Sequence, residues 1–468
     1  MSSTAPDVAY AAPRKPRFFR SVLWNALVVG IGAFLAPGLY NAMSSTGAGG
    51  AQTPYLVQAG NSILSALLFL TCFLAPMVSN RIGVKWTFVV GTTGYVVYSA
   101  SLYQNNRYGT EWFIYLGSAL CGLSAGLFWC AEGSIMIAYP EPHTRGRYLS
   151  MWLAFRNSGS LLGGSINLAF NATGKTTGKL NYKTFIVFVA LQATAPFAAM
   201  LLTPPEKVER EDGKKVNMGP KISTWDEIKA SSRLLITKRS LLMLPLFWYA
   251  TFPLSYAGNY LTLYFSTRSR ALASLVAAIV QIIGNVIFGC FLDWQRISVN
   301  ARGRYAYIFM MALAGGTWVY AAVVQTEFSS AAVPPALDWD DKGWARAWVL
   351  YILIQLNFSI IYNHAFWTVG GLAKHPSEII RFTSIVRGVE AAGGAVAAGI
   401  ASRKISLVIP MGVNFGLWAV AVIPAYFIIA QMGLDENGKL TEEQNGVRGD
   451  VSPADSASAE EKRRSIEA

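Results

Sequence analysis

Charge is scarce in this sequence. Only 14% of its 468 residues are Asp, Glu, Lys or Arg, against about 25% in ordinary soluble chains, too few to build a water-facing surface. Cysteine is sparse as well. The four, Cys72, Cys121, Cys130 and Cys290, sit inside apolar runs without a Cys-x-x-Cys spacing, which excludes a disulfide scaffold and supplies no metal or redox motif. No Gly-x-x-x-x-Gly-Lys-Ser/Thr loop is present, nor any recognisable serine–histidine–aspartate order. ATP-driven pumping and enzyme activity are therefore not expected, and no cofactor is implied. The net charge of +13 is spread along loops rather than gathered in a basic face, so nucleic acid is not an expected partner.

What the sequence has is apolar length. Hydrophobic residues make up 53% of it, and a helix needs about 20 of them in a row to cross a bilayer. Twelve such runs are read, at 21–43, 54–78, 84–104, 112–138, 148–170, 182–202, 241–265, 271–292, 305–324, 347–370, 379–401 and 407–431. The expectation is an all-α polytopic membrane protein with the lipid bilayer as its solvent. The first run follows a polar, basic stretch and is far longer than a signal-peptide core, so it is expected to be retained as a span.

Orientation follows from Lys and Arg, which favour cytosolic loops. Twenty-seven of the 39 fall on the side shared by the two termini and ten on the other, while Arg156 and Arg387 lie inside spans. Both termini are thus expected in the cytosol of a multi-pass protein. The triplet Asn171-Ala172-Thr173 then falls in an outer loop, which makes Asn171 a candidate glycosylation site.

A polar segment at 203–240, with nine basic and six acidic residues, divides the spans six and six. The expected organisation is a tail at 1–20, a six-helix bundle at 21–202, a linker at 203–240, a second bundle at 241–431 and a disordered tail at 432–468. Parallel halves joined by a long inner loop resemble the major facilitator superfamily, whose fold has twelve transmembrane helices in two pseudo-symmetric six-helix bundles. Its loop motif Gly-x-x-x-Asp-Arg-x-Gly-Arg-Lys is partly kept in Asn80-Arg81-Ile82-Gly83-Val84-Lys85, and again six spans later in Gly289, Asp293 and Arg296. Asn80 replaces the aspartate of the first copy and cannot form an ion pair. The chemistry suits a gate, with basic residues and a carboxylate at helix ends and glycine allowing close approach; the alternative is ordinary positive-inside anchoring.

Ionisable residues inside a span are costly and usually face a bundle interior or a wet cavity. Five qualify: Glu132, Arg156, His364, Arg387 and Glu390. At about 1.5 Å per residue, Glu132 and Arg156 share one depth, which predicts an ion pair between them. Arg387 and Glu390, three apart, can meet on one helical face. These charges are either latches that fix packing or groups that bind a solute or a coupling proton. His364, in Tyr362-Asn363-His364-Ala365-Phe366-Trp367, is read as a packing histidine or a proton relay. Asn25, Asn41, Asn61, Trp248 and Asn259 are candidate cavity residues. Asn41 and Asn259 fall in the corresponding first and seventh spans.

The segment from Gly32 to Met43, Gly-Ala-Phe-Leu-Ala-Pro-Gly-Leu-Tyr-Asn-Ala-Met, with Gly47-Ala48-Gly49-Gly50 and the run Pro204-Pro205-Glu206-Lys207-Val208-Glu209-Arg210-Glu211-Asp212-Gly213, resembles the fungal branch of the uncoordinated-ninety-three-like family within that superfamily. The resemblance implies a twelve-helix transporter fold with a generally unassigned substrate. Animal relatives are associated with regulating an ion channel or escorting membrane receptors. It supplies no substrate site that can be carried over. The expected function is secondary transport of a small solute by alternating access, with protons as the candidate coupling ion. The alternative is a non-transporting regulatory subunit or trafficking chaperone with a membrane-protein partner.

Overall fold

The computed structural model describes residues 16–434, apart from 47–53, 141–144, 175–178, 217–223, 293, 295, 332–333 and 373–375. Among them the chain is helical, with two isolated bridges, Ser21 to Glu209 and Phe265 to Leu337, and no named β-strand. Nine helical stretches within the described residues are long and apolar enough to cross a membrane. Large apolar side chains such as Ile287, Phe309, Val319, Ile423 and Phe427 lie more than half exposed on these helices, a surface that needs lipid rather than water.

The first stretch shows why. Helix α1 (Val22–Ala33) runs into α2 (Leu39–Ser44) through a π turn at Phe34–Gly38. Pro37 lies in that turn and lacks the N–H that a regular helix would bond. Then follow α3 (Pro54–Ile82), α4 (Val84–Tyr108), α5 (Trp112–Ala138) and α6 (Arg145–Asn171). The pair α7 (Tyr182–Ala193) and α8 (Ala195–Met200) is interrupted before Pro196. After a short helix α9 (Thr224–Leu235), α10 (Lys238–Thr251) and α11 (Pro253–Tyr264) repeat the pattern of the first stretch, broken at Pro253. Helices α12 (Thr267–Leu292), α13 (Val299–Ser330), α14 (Trp344–Leu372), α15 (Pro376–Ala401) and α16 (Val408–Ile429) complete the chain.

Small residues set the helix spacing. A methyl group on Gly91 or Gly94 of α4 would strike Phe128 or Ser124 of α5, and one on Gly122 would strike the backbone of Leu64 in α3; such close backbones are the main attraction between helices in lipid. Buried apolar side chains form two clusters, one from Val22 to Val208 and one from Leu234 to Ile429. Between them α3 packs on α15 and α6 on α12.

Hydrogen bonds join these two groups of helices mainly at one end. Ser274 Oγ donates to Ala42 O (2.7 Å), Asn167 Nδ2 to Ser274 Oγ (3.1 Å), Arg270 Nε to Thr46 O (2.9 Å) and Tyr351 Oη to Ser45 O (2.7 Å). The backbone N–H of Arg268 donates to Gly174 O at 2.9 Å. Beside this seal Arg268 binds Asp338 and Asp340, and Ser266 Oγ donates to Asp338 at 2.5 Å.

Candidate functional site

A cavity of about 250 Å3 lies between the two groups of helices, near the lower end of the usual range for small-molecule sites, roughly 300 to 1,000 Å3. The broken helices contribute to it directly: Pro37, Tyr40 and Asn41 come from the first stretch, Thr251, Leu254 and Ser255 from α10 and α11. A helix broken by proline cannot satisfy all its backbone groups internally, and in lipid such a break is tolerated where protein or a wet cavity surrounds it.

Three charged side chains line the cavity: Arg156 on α6, and Arg387 and Glu390 on α15. The spacing of three brings Arg387 Nη1 to 3.0 Å from Glu390 Oε2. Both guanidiniums stand over the same two rings. Arg156 lies 4.9 Å from the centre of Trp129 and 5.4 Å from Tyr362; Arg387 lies 3.8 Å and 5.2 Å from them. Trp129 belongs to α5 and Tyr362 to α14. One cation and one ring thus come from each side of the cavity.

The position of Arg156 follows from its helix packing. Gly38 in the π turn and Gly159 on α6 touch backbone to backbone: a methyl group on Gly38 would come within 2.8 Å of Arg156 O, and one on Gly159 would overlap Phe34 O. That contact holds the α6 backbone beside the break in the first stretch.

The expected Glu132–Arg156 ion pair does not form. The carboxylate of Glu132 is fully buried and its Oε1 accepts the indole N–H of Trp152, one turn before Arg156, while Oε2 has no partner. Arg156 donates no hydrogen bond to a described residue, and its buried Nε lacks an acceptor. Arg156 lines the cavity and Glu132 does not, and depth along a helix does not fix its azimuth.

Among the other candidates, Asn41 and Asn61 line the cavity and Asn25, Trp248, Asn259 and His364 do not. Asn25 is used elsewhere: its Nδ2 donates to Ser21 O and its Oδ1 accepts from the backbone of Thr203, tying the first helix to the residues after α8. Asn259 accepts from Gln58 and donates to Ala401 O. Trp248 presents its backbone to Gly393, where an added methyl would collide. His364 is buried among Phe288, Tyr307 and Trp367, its ring nitrogens near Gly303 O and Thr368 Oγ1.

Of the gate residues, Arg81 and Arg296 are exposed, Gly83 takes φ +85°, Lys85 is half-buried and Gly289 lies near Asn363 Nδ2. Asp293 lies outside the described residues. Asn171 is a correction: it is 3% exposed, and the nitrogen a glycan would occupy donates to Asn167 O and Thr184 Oγ1. That side chain is committed to the fold.

Sequence reasoning missed Trp129, Tyr362 and Trp152. A signal for the first was present, since Trp129 precedes Glu132 by three residues and so shares its helical face.

A family model described as "Ion channel regulatory protein UNC-93" matches residues 54–335. The chain belongs to the UNC-93 family. It is 38% identical over 423 residues to the Notoamide biosynthesis cluster protein O' of Aspergillus versicolor, covering 90% of this chain and 92% of that one. It is 28% identical over 435 residues to UNC93-like protein 1 of Arabidopsis thaliana, covering 91% and 95%. Among solved structures it is similar to a POT family transporter in complex with 5-aminolevulinic acid, with a TM-score of 0.59, 12% identity, and coverage of 87% of this chain and 96% of that one. A peptide transporter POT in complex with sulfate gives a TM-score of 0.60 at 13% identity, over 90% and 96%. At such identities the similarity speaks to fold alone, and that fold is of the major facilitator type. This UNC-93 member is therefore a multi-pass membrane protein with a transporter-like architecture.

Proposed function

We propose that the chain is a secondary transporter that moves a small solute by alternating access around the central cavity. The observation that carries this reading is the placement of Arg156, Arg387 and Glu390 on the wall of a cavity between two groups of helices. Charges in lipid are costly unless a cavity or partner receives them, and a purely structural latch would not leave Arg156 without an anion.

The reading includes twelve spans in two six-helix halves, at 21–202 and 241–431, with the linker between them. The three long stretches that fall short of the apolar criterion are α4, α6 and α10 with α11. In α4 the polar residues Thr87, Thr92, Ser99 and Ser101 are buried, and a helix with polar groups turned to protein can cross lipid inside a bundle. With both termini cytosolic, the seal around Ala42, Thr46 and Ser274 lies on the outer side and the conformation faces inward. Exposed Arg81 and Arg296 fit an inner gate that is unlatched in that state. Glu132 and Glu390 are the candidate proton carriers, since each is buried with one carboxylate oxygen unpartnered.

The test is flux. Purified protein in sealed vesicles should exchange labelled solute across the membrane, and Arg156→Gln should reduce that exchange at least about tenfold, a ratio worth ~1.4 kcal/mol. A second reading, a non-transporting regulatory subunit or trafficking chaperone, is supported by the description of the family model. Stable co-purification with a membrane partner, together with absence of flux over a broad solute panel, would establish that reading and remove the first.

A further inference from the structure

We propose that the solute is a small organic anion, a monocarboxylate with a flat apolar body. Its carboxylate engages Arg156 and its body lies against Trp129 and Tyr362. This rests on the transport reading and names the substrate class of the same cavity.

The sign of the charge decides the class. Arg387 and Glu390 form an ion pair at 3.0 Å and offset each other. Arg156 is then the surplus charge of the lining. No carboxylate of a described residue lies within ion-pairing distance of it, it donates no hydrogen bond to a described residue, and its Nε is buried without an acceptor. It lies near the rings of Trp129 and Tyr362, contacts that spend none of its N–H donors on an acceptor oxygen. A planar fork of donors matches a carboxylate in a bidentate manner. Glu132, the other acid nearby, is committed to Trp152 and does not line the cavity.

The remaining wall limits the body of the solute. Trp129 and Tyr362 lie beside the cations and Phe358 lines the same cavity, and the volume of about 250 Å3 suits a compact molecule rather than a lipid or long peptide. A cationic solute would meet the surplus positive charge. The unpartnered Glu390 Oε1 does not change that sign, because its carboxylate is already paired with Arg387.

The experiment is a melting series on the purified full chain with matched ligands: benzoate and phenylacetate, their neutral amides, and benzylamine. The acids should raise the melting temperature in a saturable way, while the amides and the amine leave it unchanged. Arg156→Gln should weaken half-saturation by the acids at least about tenfold, and Arg156→Lys should keep part of the effect, because the charge survives without the fork. Stabilisation by the amides or amine equal to that by the acids, an acid effect that survives Arg156→Gln, or no stabilisation by either acid would overturn the proposal. Because the ligand series is read on the native protein, a variant that misfolds does not spoil it. Vesicle flux separates this failure from failure of the transport reading. Acid binding without flux removes transport and keeps the anion site, whereas flux of a neutral or cationic solute alone keeps transport and removes the anion.

Discussion

The Arg387 guanidinium stands 3.8 Å from the centre of the Trp129 ring, reaching across the cavity from the other group of helices, and Arg156 approaches the same ring at 4.9 Å. One indole therefore serves two cations that would otherwise repel. Each such contact is worth about 0.5 to 2 kcal/mol, a modest amount beside the cost of holding two guanidiniums in a bundle. The ring holds the two cations on a shared surface.

Replacing that ring separates orientation from folding. Trp129→Leu keeps an apolar side chain of reduced size, so the melting temperature should fall only slightly, while half-saturation for solute should weaken by roughly tenfold as the two cation–π contacts are lost. Trp129→Phe, with a smaller ring, should fall between. Equal exchange kinetics in the leucine variant and the native protein would show that the indole is packing alone.

The two carboxylates with a bare oxygen are expected to differ from the arginines in what they control. Glu132→Gln keeps an acceptor for the Trp152 indole N–H and cannot gain or lose a proton. Exchange at equal pH on both sides should persist in this variant, and accumulation driven by a pH gradient should vanish. Measured uptake against a gradient that is unaffected by both Glu132→Gln and Glu390→Gln would rule out coupling through either group.

The cavity was only partly legible in the sequence, and the reason lies in what one chain of residues encodes. Apolar length is a local property, so the long apolar helices could be read directly, whereas the breaks at Pro37 and Pro253 went unread although proline is a local signal too. The depths of Arg156 and Arg387 could be read too, and these side chains meet over shared rings. Rotation about the helix axis was not legible. Glu132 met Trp152 rather than Arg156, and Asn259 turned toward Gln58 and Ala401 rather than the cavity. Asn171 looked like a loop acceptor because its triplet is local, whereas its burial comes from Thr184 and Asn181, ten or more residues away.

Outside the spans, acid should loosen the loop between α13 and α14. The Arg268 guanidinium beside Asp338, with help from Ser266, lowers its carboxyl from 3.8 to about 2. A carboxyl lowered in the folded state contributes stability that is present above its unfolded value and is lost as pH falls through its folded value. The native protein should therefore melt higher than Asp338→Asn above pH 3.8, and the two should converge as pH falls toward about 2. The ion pair lies at a loop, so the gap at neutral pH should be small but measurable, a few degrees at most. Parallel melting curves at every pH would remove the carboxylate from this account.

The seal at the other end of the cavity offers a conformational test. A methyl group on Gly164 of α6 would come within 2.7 Å of Leu275 Cα on α12, and overpacking of this kind costs about 1 to 3 kcal/mol. A larger side chain should relieve that cost by parting α6 from α12 rather than by unfolding, since lipid-facing neighbours can move outward. Cys72 and Cys121 line the cavity and report on the opening. With Cys130 and Cys290 replaced by alanine, a membrane-impermeant thiol reagent added from the side that carries the seal, the outer one in the orientation proposed above, should label Gly164→Trp faster than the parent by at least about tenfold, the ratio expected if ~1.4 kcal/mol of the seal is lost. Unchanged labelling in a variant that still melts cooperatively would mean that contacts other than α6 on α12 hold that end shut.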